Sequence, residues 1–239
     1  MDILKLKDWF IDLIFPKECI SCGLEETYLC HTCFKRLELN KQFYCVLCKK
    51  QTNHSQICEN CKKKTALKAV FVVADYNNQI LQNLLHNLKY NFVEEISDYL
   101  GDLIIRYLKA NNILKIFQIN FDNTIICPVP LHKKRYLARG FNQSELLAQK
   151  LSVYYKIPTR NLLIRQINTM SQVNLNRQER QTNLKNAFIF NNQESIKNKK
   201  ILLIDDVVTT GSTLIESAQA LEQKGFSEIY GLVIAQRED

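Results

Sequence analysis

The chain has 239 residues, of which 46% are hydrophobic and 23% are charged, and its formal net charge is +8. This length allows one medium-sized domain and a small accessory module, and the composition is that of a globular protein, not of a disordered or fibrous one. No apolar run approaches the roughly 18 residues that a membrane span needs.

Residues 1–16 are predicted to form a short amphipathic helix. Its apolar residues recur at helical spacing and would share one side: Ile3, Leu6, Phe10, Leu13 and Ile14. Asp8 and Asp12 interrupt this stretch, which argues against a signal sequence, so we expect a cytoplasmic protein. The apolar side would dock on the protein's own core or, alternatively, on a partner or membrane surface.

Residues 17–64 are predicted to form a double zinc ribbon, because they contain eight of the nine cysteines in four CxxC pairs. The two-residue spacer lets both sulfurs of one turn bind the same metal ion, which a disulfide framework does not require. We therefore expect two structural zinc ions and a reducing compartment. Sequential pairing is the simplest arrangement, and interleaved pairing stays open. The predicted ligands are Cys19, Cys22, Cys30, Cys33, Cys45, Cys48, Cys58 and Cys61.

Zinc changes the interpretation of the charge. Four thiolates around one divalent cation add −2, so two sites would lower the net charge to about +4. Basic clusters follow three of the CxxC pairs, and aromatic residues lie close by. These groups could bind single-stranded DNA by charge and stacking, or the cations could offset the charge of the zinc sites. The clusters are Lys35-Arg36, Lys49-Lys50 and Lys62-Lys63-Lys64, and the aromatic residues are Phe34, Phe43 and Tyr44.

Residues 66–239 are predicted to form an α/β domain with a mostly parallel sheet and helices on both faces. Near-continuous apolar strands alternate with amphipathic helices, which is typical of that architecture. A polar stretch at 165–186 has little periodicity and is predicted to be a loop. The predicted strands are 69–74, 124–130 (which runs into a proline-bounded loop), 187–190, 200–205 and 228–235, and the predicted helices are 80–90, 93–108, 144–155 and 212–224.

The most informative stretch is ILLIDDVVTTGSTL, residues 201–214. A buried strand ends in Asp205 and Asp206, and a hydroxyl-rich turn leads into the next helix. Ligands of open α/β sheets bind beyond the carboxyl ends of the strands, and a glycine turn at a helix N-terminus binds anions. Because two carboxylates and a phosphate repel one another, the carboxylates must face a neutral or cationic group, such as ribose hydroxyls or a magnesium ion. The turn comprises Thr209, Thr210, Gly211, Ser212 and Thr213.

This stretch resembles the fingerprint of the type I phosphoribosyltransferases. The resemblance implies that Asp205 and Asp206 hold the ribose 2′ and 3′ hydroxyls of phosphoribosyl diphosphate, bound with magnesium. It also implies that the turn holds the 5′-phosphate. Purine-salvage members carry an aspartate where this chain has Thr209. Because threonine cannot act as that general base, purine salvage is not expected, and the acceptor stays open.

Residues 127–148 (CPVPLHKKRYLARGFNQSELLA), together with the four CxxC pairs, resemble the ComF family. So does a later set: Arg165, Thr169, Gln172, Leu175, Arg180, Asn183 and Phe188. The family places its pyrophosphate loop beyond the strand that ends here, and the positive charges that follow could face a diphosphate. Arg139 is the candidate catalytic cation. The other candidate contacts are Pro128, Val129, Pro130, His132 and Arg135.

The ComF resemblance implies a role in handling imported single-stranded DNA during natural transformation, beside a helicase-like partner. Two functions remain open at this point. The protein could transfer a phosphoribosyl group from magnesium-bound phosphoribosyl diphosphate to an unidentified acceptor. Alternatively, it could handle single-stranded DNA without catalysis and keep the phosphoribosyl site as a sensor or scaffold.

Overall fold

The computed structural model describes residues 17–167, 187–191 and 199–237. The predicted N-terminal helix at 1–16 and most of the predicted loop at 165–186 lie outside these residues, as do five positions of the later ComF-like set, 169 to 183. In the described part of the chain, no helix is long and apolar enough to cross a bilayer.

The central sheet has four parallel strands in the order β1-β6-β5-β2, which confirms the predicted parallel sheet. Of the two inner strands, β6 is buried throughout and β5 is buried at residues 201–204 and 208, as expected when helices cover both faces. A separate antiparallel pair, β3 with β4, lies beyond β2 along the chain. The strands are β1 (Leu67–Asp75), β2 (Thr124–Pro128), β3 (Leu163–Arg165), β4 (Phe188–Phe190), β5 (Lys200–Val208) and β6 (Ile229–Gln236).

The helices divide between the two faces of the sheet. α3, α4 and α7 share one hydrophobic core with one face, and α8 and the β3–β4 pair share a second core with the other. The helices are α1 (His31–Lys35), α2 (Glu59–Lys62), α3 (Gln79–Tyr90), α4 (Ile96–Ala110), α5 (Ile113–Ile116), α6 (Lys133–Arg139), α7 (Gln143–Tyr155) and α8 (Ser212–Glu222).

Helix α6 is the main element that the sequence did not predict, because we expected a loop after the prolines of β2. The helix begins after His132, whose Nδ1 accepts a hydrogen bond from the Lys134 amide at 3.2 Å, and ends at Gly140 with φ +83. None of its residues is buried. It therefore shows no apolar periodicity from which a helix could have been predicted.

The cysteine-rich segment docks on the edge of the sheet. The Asn40 amide donates to the Val73 carbonyl at 2.8 Å and the Ile57 amide to the Lys68 carbonyl at 2.9 Å, so the segment pairs with the edge strand β1. An uncovered edge strand would offer its backbone groups to other chains. The zinc-ribbon segment is thus packed against the α/β domain as part of one fold.

Candidate functional site

The hydroxyl-rich turn lies between the carboxyl end of β5 and the first turn of α8. Gly211 has φ +81, a left-handed conformation that glycine adopts without strain, and it turns the chain into α8. The hydroxyl oxygens of Thr210 and Ser212 are 2.7 Å apart. Residues 207–214 line a small recess. Helix amides and hydroxyls around a recess of this kind suit an oxyanion.

The two acids lie near the carboxyl end of β5, followed in that strand by Val207 and Val208, and they line the cleft beside this recess. Asp205 accepts hydrogen bonds from the Ser144 hydroxyl at 3.1 Å and from the Asp206 amide at 2.9 Å. Burial, followed by the charge of Asp206, raises the pKa of Asp205 to about 7. A hydrogen bond from a ribose hydroxyl, or a nearby cation, would stabilise the ionised form of this carboxyl group and lower its pKa.

Lys89 on α3 also belongs to this site, although the sequence gave no reason to select it. Its ammonium lies 3.0 Å from Asp206, and both side chains are largely buried. The adjacent face of α3, with Gln82, His86 and Tyr90, lines the same cleft. One face of a helix therefore forms a wall above the acid pair.

Another part of the lining of the cleft, which encloses about 720 Å³, is strongly basic and forms a basic wall. Four arginines line it, from α6, from β3 and from the end of β6: Arg135, Arg139, Arg165 and Arg237. With Lys89 and the two aspartates, these groups give the lining a formal charge of +3. Burial, and then the charge of Arg135, lowers the pKa of Arg165 to about 10. Buried cations that repel one another are stabilised by a bound anion.

Gln143 adds a neutral donor to the basic wall. The side chain is 1% exposed and lines the cleft, and its Oε1 accepts a hydrogen bond from Arg139 at 3.0 Å. Its Nε2 group is buried and has no partner within the described residues. Because a buried amide group without a hydrogen bond is costly, this group is suited to donate to a ligand oxygen.

The remaining predicted contacts divide between the cleft and its support. Val129 and Pro130 line the cleft with Arg135 and Arg139. Pro128 is buried as the last residue of β2. His132 caps α6 and is not part of the cleft lining. The ligand contacts assigned to Pro128 and His132 stay predictions, since their positions here are structural.

The eight cysteines form two tetrads, and the grouping is sequential. Cys19, Cys22, Cys30 and Cys33 make up the first tetrad, and Cys45, Cys48, Cys58 and Cys61 make up the second; within each, all sulfur atoms lie within 4.8 Å of one another. The Sγ atoms of Cys22 and Cys30 are 3.7 Å apart, and those of Cys48 and Cys58 are 3.5 Å apart. Tetrahedral Zn–S bonds of about 2.3 Å require sulfur separations of about 3.8 Å. Both tetrads therefore fit a structural zinc ion.

The aromatic residues near the basic clusters already have partners in this fold. The guanidinium of Arg106 lies 4.9 Å from the ring of Phe34, and the ammonium of Lys49 lies 4.9 Å from the ring of Tyr44. Phe43 packs against the ring of His54 at 5.4 Å. These contacts explain the three rings without a nucleic acid.

Comparison with known proteins agrees with this two-part architecture. Residues 137–238 match the phosphoribosyl transferase domain family, and residues 10–62 match the double zinc ribbon domain family. The chain is 32% identical to Competence protein F of Haemophilus influenzae over 223 residues, 90% of this chain and 95% of that protein. It is 32% identical to the DNA utilization protein YhgH of Escherichia coli K12 over 91% of this chain and 96% of that protein.

A more distant relative is Competence protein ComFC of Bacillus subtilis, which is 28% identical over 82% of this chain and 79% of that protein. These similarities run through both the cysteine-rich segment and the α/β domain. The chain belongs to the ComF family of competence and DNA utilization proteins, which join a double zinc ribbon to a phosphoribosyl transferase domain.

Proposed function

We propose that the cleft binds phosphoribosyl diphosphate together with magnesium, and that the protein serves DNA uptake in natural transformation. One observation carries the first part of this proposal. The acid pair lies in the same cleft as the four-arginine wall, and the oxyanion recess adjoins that cleft and shares Asp205 and Thr209 with its lining. A ligand with a ribose between a monophosphate and a diphosphate complements all three features.

In this proposal each part of the ligand meets a different group. Asp205 and Asp206 accept hydrogen bonds from the ribose 2′ and 3′ hydroxyls, and the turn at 209–213 binds the 5′-phosphate. Arg135, Arg139 and Arg165 face the diphosphate, and the Gln143 amide donates to one of its oxygens. Magnesium, held by the aspartates and the ligand, would neutralise charge on the diphosphate.

The reaction that this site supports is displacement of pyrophosphate from C1 of the ribose. The bond between C1 and the pyrophosphate oxygen breaks, and a bond forms from an acceptor nucleophile to C1, through an oxocarbenium-like transition state. The basic wall stabilises the negative charge that develops on the departing pyrophosphate. Because Thr209 cannot act as a general base in this step, the proton of the acceptor passes to solvent or to the pyrophosphate that leaves.

Titration calorimetry of the zinc-loaded protein with phosphoribosyl diphosphate tests the proposal directly. We expect magnesium-dependent binding that the Asp205→Asn/Asp206→Asn double variant loses by more than about 100-fold, because both charge-assisted ribose contacts and the carboxylate ligands of magnesium are lost. A control variant, Asp98→Asn, removes an exposed carboxylate on α4 and should bind like wild type. No binding by folded, zinc-loaded wild-type protein would contradict the proposal.

A second candidate function is binding of single-stranded DNA in the cytoplasm, beside a helicase-like partner. The names of the relatives favour a DNA-related role, and Lys62, Lys63 and Lys64 form an exposed basic cluster beside the second tetrad. Reversing these three charges should abolish salt-sensitive binding of an oligonucleotide. The same reversal at the exposed Lys133 and Lys134 is the control. Equal binding by both variants would overturn this candidate.

A further inference from the structure

The second zinc tetrad, which ends at Cys61, lies against the phosphate-binding turn, which begins only at Thr209. Leu47 is one of the two residues between Cys45 and Cys48. A Cβ atom placed on Gly211 would lie 2.9 Å from Leu47 Cδ2, nearer than any other atom outside the turn. The Leu47 side chain therefore packs directly on the glycine of the turn.

Gln236, the last residue of β6, connects the same two segments by hydrogen bonds. Its Nε2 donates to the Val46 carbonyl at 3.1 Å and to the Thr209 carbonyl at 3.2 Å. The side chain is 7% exposed, so neither carbonyl can readily exchange this donor for water. A single buried amide thus holds the CxxC turn of the second tetrad to the first residue of the phosphate turn.

The first zinc tetrad makes no such connection among the described residues and provides an internal comparison. Its segment contacts α4 and its N-terminal flank: Thr27 is hydrogen bonded to Tyr99 at 2.9 Å, and Lys17 pairs with Glu95 at 2.7 Å. Its buried cysteines belong to the core on that face, whereas Cys45, Cys58 and Cys61 belong to the core beneath α8. Two similar zinc sites therefore support opposite sides of the sheet.

We infer that the second zinc site positions the phosphate-binding turn, through Leu47 and Gln236, and that zinc and ligand therefore stabilise each other. A CxxC turn keeps its geometry because both sulfurs bind one metal ion. With zinc bound, Val46 and Leu47 hold the backbone of residues 209–211 in the conformation that presents its amides. Without zinc, the turn loses one packing partner and one of the two acceptors that fix Gln236.

This inference rests on the proposed function only for the identity of the ligand. Coupling between two sites is reciprocal, so a ligand that gains affinity from zinc must retain that zinc equally well. The coupling itself is a property of the protein and can be measured without ligand. Hydrogen exchange of the amides at 209–213 reports directly on whether the turn is held.

The deciding variants are Gln236→Met and Leu47→Ala, compared with Ile20→Ala. Methionine keeps the length of the glutamine side chain but removes the donor, and Gln236 binds no zinc, so both zinc ions should remain. Ile20 lies in the CxxC turn of the first tetrad and packs on the opposite core. Zinc content is measured first for every full-length variant.

In the ligand-free protein, we expect the amides of 209–213 to exchange about tenfold faster in Gln236→Met and Leu47→Ala, and unchanged in Ile20→Ala. With magnesium and phosphoribosyl diphosphate, affinity should fall about tenfold in the first two variants. The ligand should also slow transfer of one of the two zinc ions to a chelator, and this protection should disappear in Gln236→Met.

The outcomes separate the two proposals. If wild type fails to bind phosphoribosyl diphosphate, the proposed function falls, and the exchange measurement still decides the coupling. If Gln236→Met keeps both zinc ions and its turn exchanges at the wild-type rate, the inference is overturned, whatever the ligand.

Discussion

The two sides of the cleft are built in different ways. The acid pair and the phosphate turn come from one continuous segment, 205–213, at the end of β5. The basic wall is assembled from α6, β3 and the residue after β6, and Lys89 reaches the acid pair from α3. The first side is therefore set by the conformation of one short segment, whereas the second depends on how several elements pack together. A substitution on the first side should change only its own contacts. A substitution on the second should change the charge repulsion among all the arginines of the basic wall.

Among single substitutions, the largest effect should follow from removing a buried cation of the basic wall. Arg165→Met should weaken binding of phosphoribosyl diphosphate by about 100-fold, because a charge-assisted contact to a diphosphate is worth about 1.5–3 kcal/mol. Calorimetry with magnesium measures the change. Lys134→Met, which removes an exposed cation of α6, should leave affinity within about twofold of wild type. Equal losses in the two variants would mean that only overall charge matters.

The ion pair between Lys89 and Asp206 should stabilise the folded protein. Lys89→Met leaves Asp206 uncompensated beside Asp205, and we expect a cost of about 2 kcal/mol, or about 4–8 °C in the unfolding midpoint. In the double variant with Asp206→Asn most of this cost should disappear, so a thermal double-mutant cycle measures the coupling.

The exposed pair Lys17 and Glu95, with ammonium and carboxylate 2.7 Å apart, is the control for that cycle. We expect a coupling below about 1 kcal/mol there, because solvent screens exposed ion pairs. A coupling between Lys89 and Asp206 as small as this would contradict the prediction that the partly buried pair stabilises the folded protein more than an exposed pair does.

Binding should weaken at acid pH. The pKa of Asp205 is raised to about 7 by burial and then by Asp206, and ribose hydroxyls and magnesium both favour the ionised carboxylate. Affinity is therefore complete above this pKa and is lost as the pH falls through it, by about tenfold from pH 8 to pH 6. Calorimetry at both pH values checks this. The Asp205→Asn variant is the control: any pH dependence of affinity that remains in it comes from the ligand's own phosphates. Equal wild-type affinities would contradict the assignment.

The sequence allowed the continuous side of the cleft and the zinc ligands to be predicted, because both depend on residue type and short spacing. It did not identify Lys89 or Gln143, and Arg165 was noted only as part of a family resemblance. On α3, the apolar residues at 81, 84, 85 and 88 predicted the helix and its core face. They did not show that Lys89, next to that face, would meet Asp206, since this depends on where α3 packs against β5.

The zinc pairing and helix α6 could not be decided from the sequence for related physical reasons. Four CxxC pairs with the same internal spacing are compatible with sequential or interleaved ligation, and only the paths of the connecting segments bring each set of four sulfurs together. The residues of α6 are all at least partly exposed, so no hydrophobic pattern marks the helix.

The smallest expected effect concerns the one place where the continuous side depends on a distant segment. Gly211→Ala should destabilise the turn because its φ of +81 disfavours a side chain and because the new Cβ would lie 2.9 Å from Leu47 Cδ2. Adding Leu47→Ala removes the second cause but not the first. The penalty of Gly211→Ala, measured as the shift in unfolding midpoint, should therefore be about 1 kcal/mol smaller in the Leu47→Ala background. In the Ile20→Ala background the penalty should be unchanged, since Ile20 packs on the opposite core. Additive penalties in both backgrounds would mean that the turn is a self-contained motif and that the second zinc tetrad only lies beside it.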